Sequence, residues 1–248
     1  MSKNWIVAVL MLMVVPLSSN VRASSPGKHL FILAGQSNMA RLDPKQVFQP
    51  MVEEAFGKEN VLVVKEVESG QSILRWSRAW DPKKGGKPPI DKKTGMPGKI
   101  GDVYDRLRVQ LQQKLKGETI RTITFCWMQG ESDTYAPRCN AYKEAFLGLV
   151  EQLSADLGRD DLNVVIGRIS DARMQKPHWV KIRQVQVALA ESHDRWAWIN
   201  TDDCNDGPAD SGTRVFKNDV HYSDAGKKCF AERLAQRAIE LVGRRRRK

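Results

Sequence analysis

Five apolar runs rich in β-branched residues recur along this chain, at Leu30–Ala34, Val61–Val67, Ile120–Met128, Leu162–Ile169 and Trp196–Asn200, with amphipathic segments between and after them. Those segments repeat apolar residues at helical spacing: Val103, Leu107, Leu111, Leu115; Tyr142, Phe146, Leu149, Leu153; Trp179, Ile182, Val185, Leu189; and Phe230, Leu234, Ala238, Leu241. Strands that alternate with helices pair in parallel and are covered on both faces. The pattern predicts an α/β chain, a three-layer α/β/α sandwich with a central parallel sheet of about five strands. Ligands bind such sheets beyond the carboxyl ends of the strands, where chain direction switches. That rule shortlists Gly35–Asn38, Glu68–Ser72, Gln129–Asp133 and Thr201–Asp206.

Residues 1–23 read as a secretory signal peptide: Lys3, an apolar stretch from Trp5 to Leu17, then Val21, Arg22 and Ala23 before Ser24. The stretch is shorter than the roughly 20 residues a spanning helix needs. Cleavage after Ala23 leaves one domain, residues 24–243, and a basic tail, residues 244–248, in a secreted or periplasmic protein without a stable membrane span. The leader removes two cations and no acid from a chain of formal net charge +11, so the mature chain stays basic. Such a surface favours anionic polymers, acidic glycans among them. Nucleic acid is disfavoured by export and by the lack of aromatics among the basic runs. Cys126, Cys139, Cys204 and Cys229 are an even set in an exported chain, which favours disulfides. Of the three full pairings, Cys126 with Cys139 and Cys204 with Cys229 would each brace a functional segment. Without a CxxC and with scattered histidines, zinc is disfavoured. Asp81–Lys99, with six lysines, four glycines and four prolines, reads as an irregular surface loop.

Phe31–Met39 reads FILAGQSNM. A buried strand that breaks at Gly35 and turns into a helix lifts the Ser37 hydroxyl above the sheet edge and points backbone N–H groups at it, as a nucleophile requires. Taken alone, Ser37 and Asn38 read equally as a turn and helix cap. In WMQGESD, residues 127–133, Gln129 can offer its amide to a developing oxyanion, and Gly130 lets the backbone approach a ligand. Glu131 either braces that loop or pairs with Asp133 as the two carboxylates of a glycosidase. Acids two residues apart in a loop favour the brace. Gly70, in ESGQSI, offers a backbone N–H with no side chain in the way, or simply a turn. In KNDVHYSDAG, residues 217–226, His221 lies just before the last amphipathic segment, as a general base or as a cap of that helix. His29 lies at the start of the first strand, and His178 and His193 lie near or inside a helix, so His221 is the best-placed base.

Together these blocks resemble the SGNH hydrolase superfamily, in particular its sialate O-acetylesterase-like branch, the carbohydrate esterases of family six. The resemblance runs from about Leu30 to about Leu241, and GQSN with QGESD carries it. It implies the flavodoxin-like SGNH fold, Ser37 as nucleophile and His221 as general base. The oxyanion hole would comprise the Ser37 and Gly70 N–H groups and the Gln129 amide, with Gln36, Asn38, Gly130 and Glu131 supporting the site. It also implies no metal, no cofactor and an acetylated carbohydrate substrate. In one respect the chain departs from the family: the aspartate usual three residues before the histidine is Asn218, and Asp219 follows. Asp219 could turn in, Asp203 could substitute, or a slower Ser-His dyad could operate. The expected function is an exported serine esterase working through an acetyl-serine. The alternatives are a catalytically weak carbohydrate-binding relative and an SGNH lipase or thioesterase.

Overall fold

The structure is a computed structural model and describes residues 27–90, 95–205, 207–208, 215–216 and 219–244. The expected leader, residues 245–248 of the expected tail, and Asn218 lie outside the described residues. The elements are, in order, β1 (Lys28–Gly35), α1 (Ser37–Ala40), α2 (Phe48–Phe56), β2 (Val61–Val67), α3 (Pro82–Gly85), α4 (Asp102–Lys114), β3 (Ile120–Met128), α5 (Arg138–Leu157), β4 (Asn163–Gly167), α6 (Pro177–Glu191), β5 (Trp196–Ile199), β6 (Gly207–Pro208), β7 (Val215–Phe216) and α7 (Asp224–Arg244). All five long apolar runs are strands, and β1 to β5 form one parallel sheet in the order β2-β1-β3-β4-β5. β6 and β7 form a separate antiparallel pair.

Side chains alternate across the sheet, so each strand feeds two layers. Trp127 packs against Phe146 of α5 and edge-on against Trp76, and its indole donates to the Tyr142 hydroxyl. That layer holds α4, α5 and α6. On the other face Phe31 meets Phe48 and Phe56 of α2, and α7 packs beside α2. Burying each of these aromatic side chains contributes on the order of 2 to 3 kcal/mol. Among the described residues no helix is long and apolar enough to cross a membrane.

Two expectations need correction. All four cysteines are free thiols. Cys126 alternates with Trp127 and so faces the α7 layer, whereas Cys139 sits on α5 across the sheet, which rules out that bridge. The 81–99 insert also starts as structure: Asp81 caps α3, and Gly85 packs against Trp80 so closely that a Cβ would overlap the ring.

Candidate active site

The sheet order places β1 between β2 and β3, so the chain leaves β1 to one side and returns on the other. The crevice at that switch lies between the ends of β1 and β3. Gly35 makes it close-fitting. At φ 145°, its missing Cβ would lie 2.0 Å from the Met128 carbonyl oxygen, and the Gln36 N–H donates to that oxygen at 2.9 Å. A side chain here would separate the two strand ends. α1 begins two residues later, at Ser37, and Lys65 donates to the carbonyls of Ala40 (3.0 Å) and Leu42 at its far end. Burial depresses the Lys65 pKa.

His221 meets Ser37 at this point, its Nε2 3.1 Å from the Ser37 Oγ. The other histidines are elsewhere: His29 bonds Thr122, His178 faces the Cys139 thiol at 3.4 Å, and His193 stacks on Trp196. Asn38 joins the two chain segments. Its Nδ2 donates to Glu131 Oε1 and to the Val220 carbonyl, both at 2.9 Å, and its Oδ1 accepts from the Tyr222 N–H at 3.3 Å. The residues on either side of His221 are therefore held by the neighbour of Ser37. Behind them, Asn205 donates to the Asp219 carbonyl (2.7 Å) and the Ser223 N–H to the Cys204 carbonyl (3.2 Å). Gly226 lies so near that carbonyl that a Cβ would fall 1.6 Å from it.

The support expected for the His221 ring takes a different form. Asp219 accepts from the His221 backbone N–H at 3.2 Å, a local turn bond. Asp203 is exposed and held bidentately by Arg233, which keeps its carboxyl below the usual range, so it does not substitute. The His221 pKa is lowered, first by burial and then by the Arg41 guanidinium, with Asp219 opposing.

Gln129 follows the last residue of β3 and is fully buried. Its Nε2 donates to Asp133 at 2.6 Å, to the Gln71 carbonyl at 3.1 Å and to Gln36 Oε1 at 3.2 Å. Gln36 Oε1 also accepts from the Ser132 N–H, and Gly130 opens the short turn Glu131–Asp133. Gly70 lies exposed at φ 70° in the segment after β2, which the Glu68 N–H ties to the Gly35 carbonyl at 3.1 Å. Glu131 is buried beneath Asn38, and burial pushes its carboxyl up to about 7. Asp133 is buried too, bonded to Ser72, the Ile73 N–H and Gln129. Each carboxylate is thus committed to its own partners, unlike a glycosidase pair. Asp133 and Ser72 fall in the shortlisted segments, but sequence reasoning did not pair them with each other or with Gln129, and it missed Arg41 and Lys65 as neighbours of the site. Lys65 sits inside an apolar strand run and Arg41 on the turn after α1, and no local pattern in the sequence assigns either to the site.

A separate cleft of about 1160 Å³ along β5 is lined by Trp196, Trp198, Arg233 and Arg237 and holds none of these residues.

A family model described as carbohydrate esterase, sialic acid-specific acetylesterase, matches residues 40–240. The matched span starts just after Ser37 and includes Gly70, Gln129 and His221. Among solved structures, a protein from Arabidopsis thaliana is similar at 16% identity and a TM-score of 0.61, over 87% of this chain and 99% of that one. A carbohydrate acetylesterase from Xanthomonas citri is similar at 16% identity and a TM-score of 0.56, over 88% of this chain and 56% of the other. NanS is similar at 13% identity and a TM-score of 0.56, over 91% and 100%. These likenesses show a shared fold. No curated protein matches the sequence.

Proposed function

The chain belongs to the carbohydrate esterase family of sialic acid-specific acetylesterases and is a carboxylic ester hydrolase, and on that premise we propose that Ser37 removes O-acetyl groups from a carbohydrate through an acetyl-serine. The observation that carries this reading is the 3.1 Å contact of His221 Nε2 with Ser37 Oγ at the switch point of the sheet. His221 takes the hydroxyl proton as Ser37 attacks the acetyl carbonyl. Negative charge then develops on the carbonyl oxygen, and the Ser37 and Gly70 N–H groups and the Gln129 amide are its donors. His221 returns the proton to the departing sugar oxygen, and water, deprotonated by the same imidazole, releases acetate. Nucleophile, base and donors complete this cycle without a cofactor. The apolar leader and basic surface support export and an anionic glycan as substrate.

The test is acetate release from p-nitrophenyl acetate and from acetylated xylan, by the wild type and by Ser37→Ala. Activity that survives the substitution would end this reading, and preference for long acyl chains would move it to lipids. The bond of Asp219 to the His221 backbone favours a second reading, a slower Ser-His dyad in which Asp219 acts through space. In that case Asp219→Asn lowers kcat by no more than about tenfold, far below the roughly 10⁴-fold that the same change of the triad aspartate costs serine proteases.

A further inference from the structure

We infer that Asp133 is a positioning residue for the oxyanion hole: it pins the Gln129 amide in the orientation that offers an N–H, and ties the Gly70 segment to the same anchor. The inference rests on the acyl-transfer reading above.

A glutamine amide can face a developing oxyanion with either end. Its NH₂ group stabilises the charge, and its carbonyl oxygen repels it. Nothing intrinsic to the side chain chooses, because the two ends have nearly the same shape. The neighbours of Gln129 do choose. Asp133 Oδ2 accepts from Gln129 Nε2 at 2.6 Å, the short distance expected of a bond to an ionised acceptor. The opposite orientation would turn the Gln129 carbonyl oxygen onto a buried carboxylate. In the orientation held, Gln129 Oε1 has no partner among the described residues. That unpaired oxygen marks the orientation as imposed on Gln129 by its surroundings.

The NH₂ group is planar, so fixing one N–H fixes the direction of the other. The remaining N–H is shared between the Gln71 carbonyl at 3.1 Å and Gln36 Oε1 at 3.2 Å, both longer than the bond to Asp133. It is the one that can be released to an oxyanion beside Ser37, the residue that follows Gln36.

The other side of Asp133 reaches the second donor segment. Oδ1 accepts from the Ser72 hydroxyl and Oδ2 from the Ile73 N–H at 2.9 Å. Ser72 in turn accepts from the Leu74 N–H, which closes the turn that follows Gly70. One fully buried carboxylate thus anchors the side-chain donor at the end of β3 and the backbone donor after β2. Neither element contacts the other through the sheet, since β1 lies between them.

The experiment is a double-mutant cycle of Asp133→Asn and Gln129→Ala, assayed with p-nitrophenyl acetate and normalised to active sites titrated with a fluorophosphonate. An asparagine at 133 can meet Gln129 with either end, so it removes the orienting preference while keeping the volume. D133N is expected to lower kcat per titrated site by about 10- to 100-fold with KM changed less than about twofold. In the Gln129→Ala background the same substitution is expected to cost less than about threefold, because the group it positions is gone. A normal kcat per titrated site, or losses that multiply across the cycle, would overturn the inference, and a fall in titre alone would mark Asp133 as merely structural. If D133N does not fold, the cycle is run with Ser72→Ala, expected to lower kcat by about two- to fivefold only when Gln129 is present. Multiplicative losses there overturn it equally. Ser37→Ala separates the two levels: activity surviving in that variant removes the esterase reading itself, whereas an inactive Ser37→Ala beside a fully active D133N removes the role of Asp133 alone.

Discussion

Ser37 and His221 come together from regions of unlike construction. On the side of the proposed nucleophile, Gln36, Ser72, Gln129 and Asp133 lie beyond the ends of β1, β2 and β3, buried and linked by hydrogen bonds, with Ser37 buried next to Gln36. On the base side, His221 is half-buried in the segment between β5 and α7, and its neighbours hang on side-chain and backbone tethers from Asn38, Asn205 and Cys204. The first half is preformed by the sheet, and the second is docked onto it. A preformed half holds its geometry through core packing, whereas a docked half opens at the cost of a few hydrogen bonds.

The largest effect comes from dividing the pair. His221→Ala is expected to lower kcat on the order of 10⁴-fold or more, and Ser37→Ala comparably, since in the proposed mechanism nucleophile and base act as one unit. The double variant should be no slower than either single one. Steady-state rates checked against residual hydrolysis by the double variant decide this. Independent, multiplying losses would mean the two halves do not work together.

A tether of the docked half is the next target. Asn38→Ala removes three hydrogen bonds at once and takes the Asn38 donor from the buried Glu131 carboxyl. The expected result is a kcat/KM lower by about 10- to 100-fold, with a fall in Tm of several degrees. Hydrogen exchange locates the damage: faster exchange over 219–223, with β1 and β3 as protected as before. Equal loosening of β1 and β3 would erase the distinction between the halves.

The same contrast explains what the chain revealed in one dimension. The strands were legible because each is a continuous apolar run, and the sheet edge followed from their parallel order. Ser37, Gln129 and Glu131 were legible because their surroundings are contiguous: a strand end, a break and a turn within a few residues. Asp133 lies in the same block, yet its partner Ser72 is 61 positions away, and no local pattern specifies that bond. The base side was harder still. His221 could be selected by elimination, but its supports, Asn38 and Asn205, carry no periodicity. Asp203 looked available until its pairing with Arg233 was seen. Cys204 and Cys229 do come together, as free thiols with their sulfurs within 4.8 Å, but the expected Cys126–Cys139 bridge failed for a related reason. Sequence spacing does not tell which face of a sheet a residue occupies unless the helices covering each face are known.

Glu131 lies beneath the junction of the halves, and its titration provides a third test. Burial raises its carboxyl from 4.5 to about 7. Between those values the folded chain keeps a proton that the unfolded chain has lost, so stability falls as pH rises through that window. Glu131→Gln retains an acceptor for Asn38 and cannot ionise. Relative to the wild type, its Tm should therefore improve between pH 5 and pH 8, by about 5 °C. Thermal melts across that range check it, and a difference that stays constant with pH would show that Glu131 carries no proton-linked cost.

The smallest effect concerns the charge at the mouth of the docked half. In the proposed mechanism His221 must be neutral to accept the Ser37 proton. Its lowered pKa places the acid limb of kcat/KM below pH 6.5, the ordinary histidine value, with a plateau above it. Burial is the larger cause and the Arg41 cation the second. Arg41→Ala removes only the second, so the limb should move to higher pH and stay below 6.5, with the plateau rate changed less than about twofold. Because Arg41 is exposed, added salt should shrink the difference between variant and wild type. Asp219→Asn removes the opposing influence and should move the limb the other way. If Arg41→Ala instead leaves the limb in place and salt has no effect, burial alone sets the base, and the docked half is tuned by packing as the preformed half is.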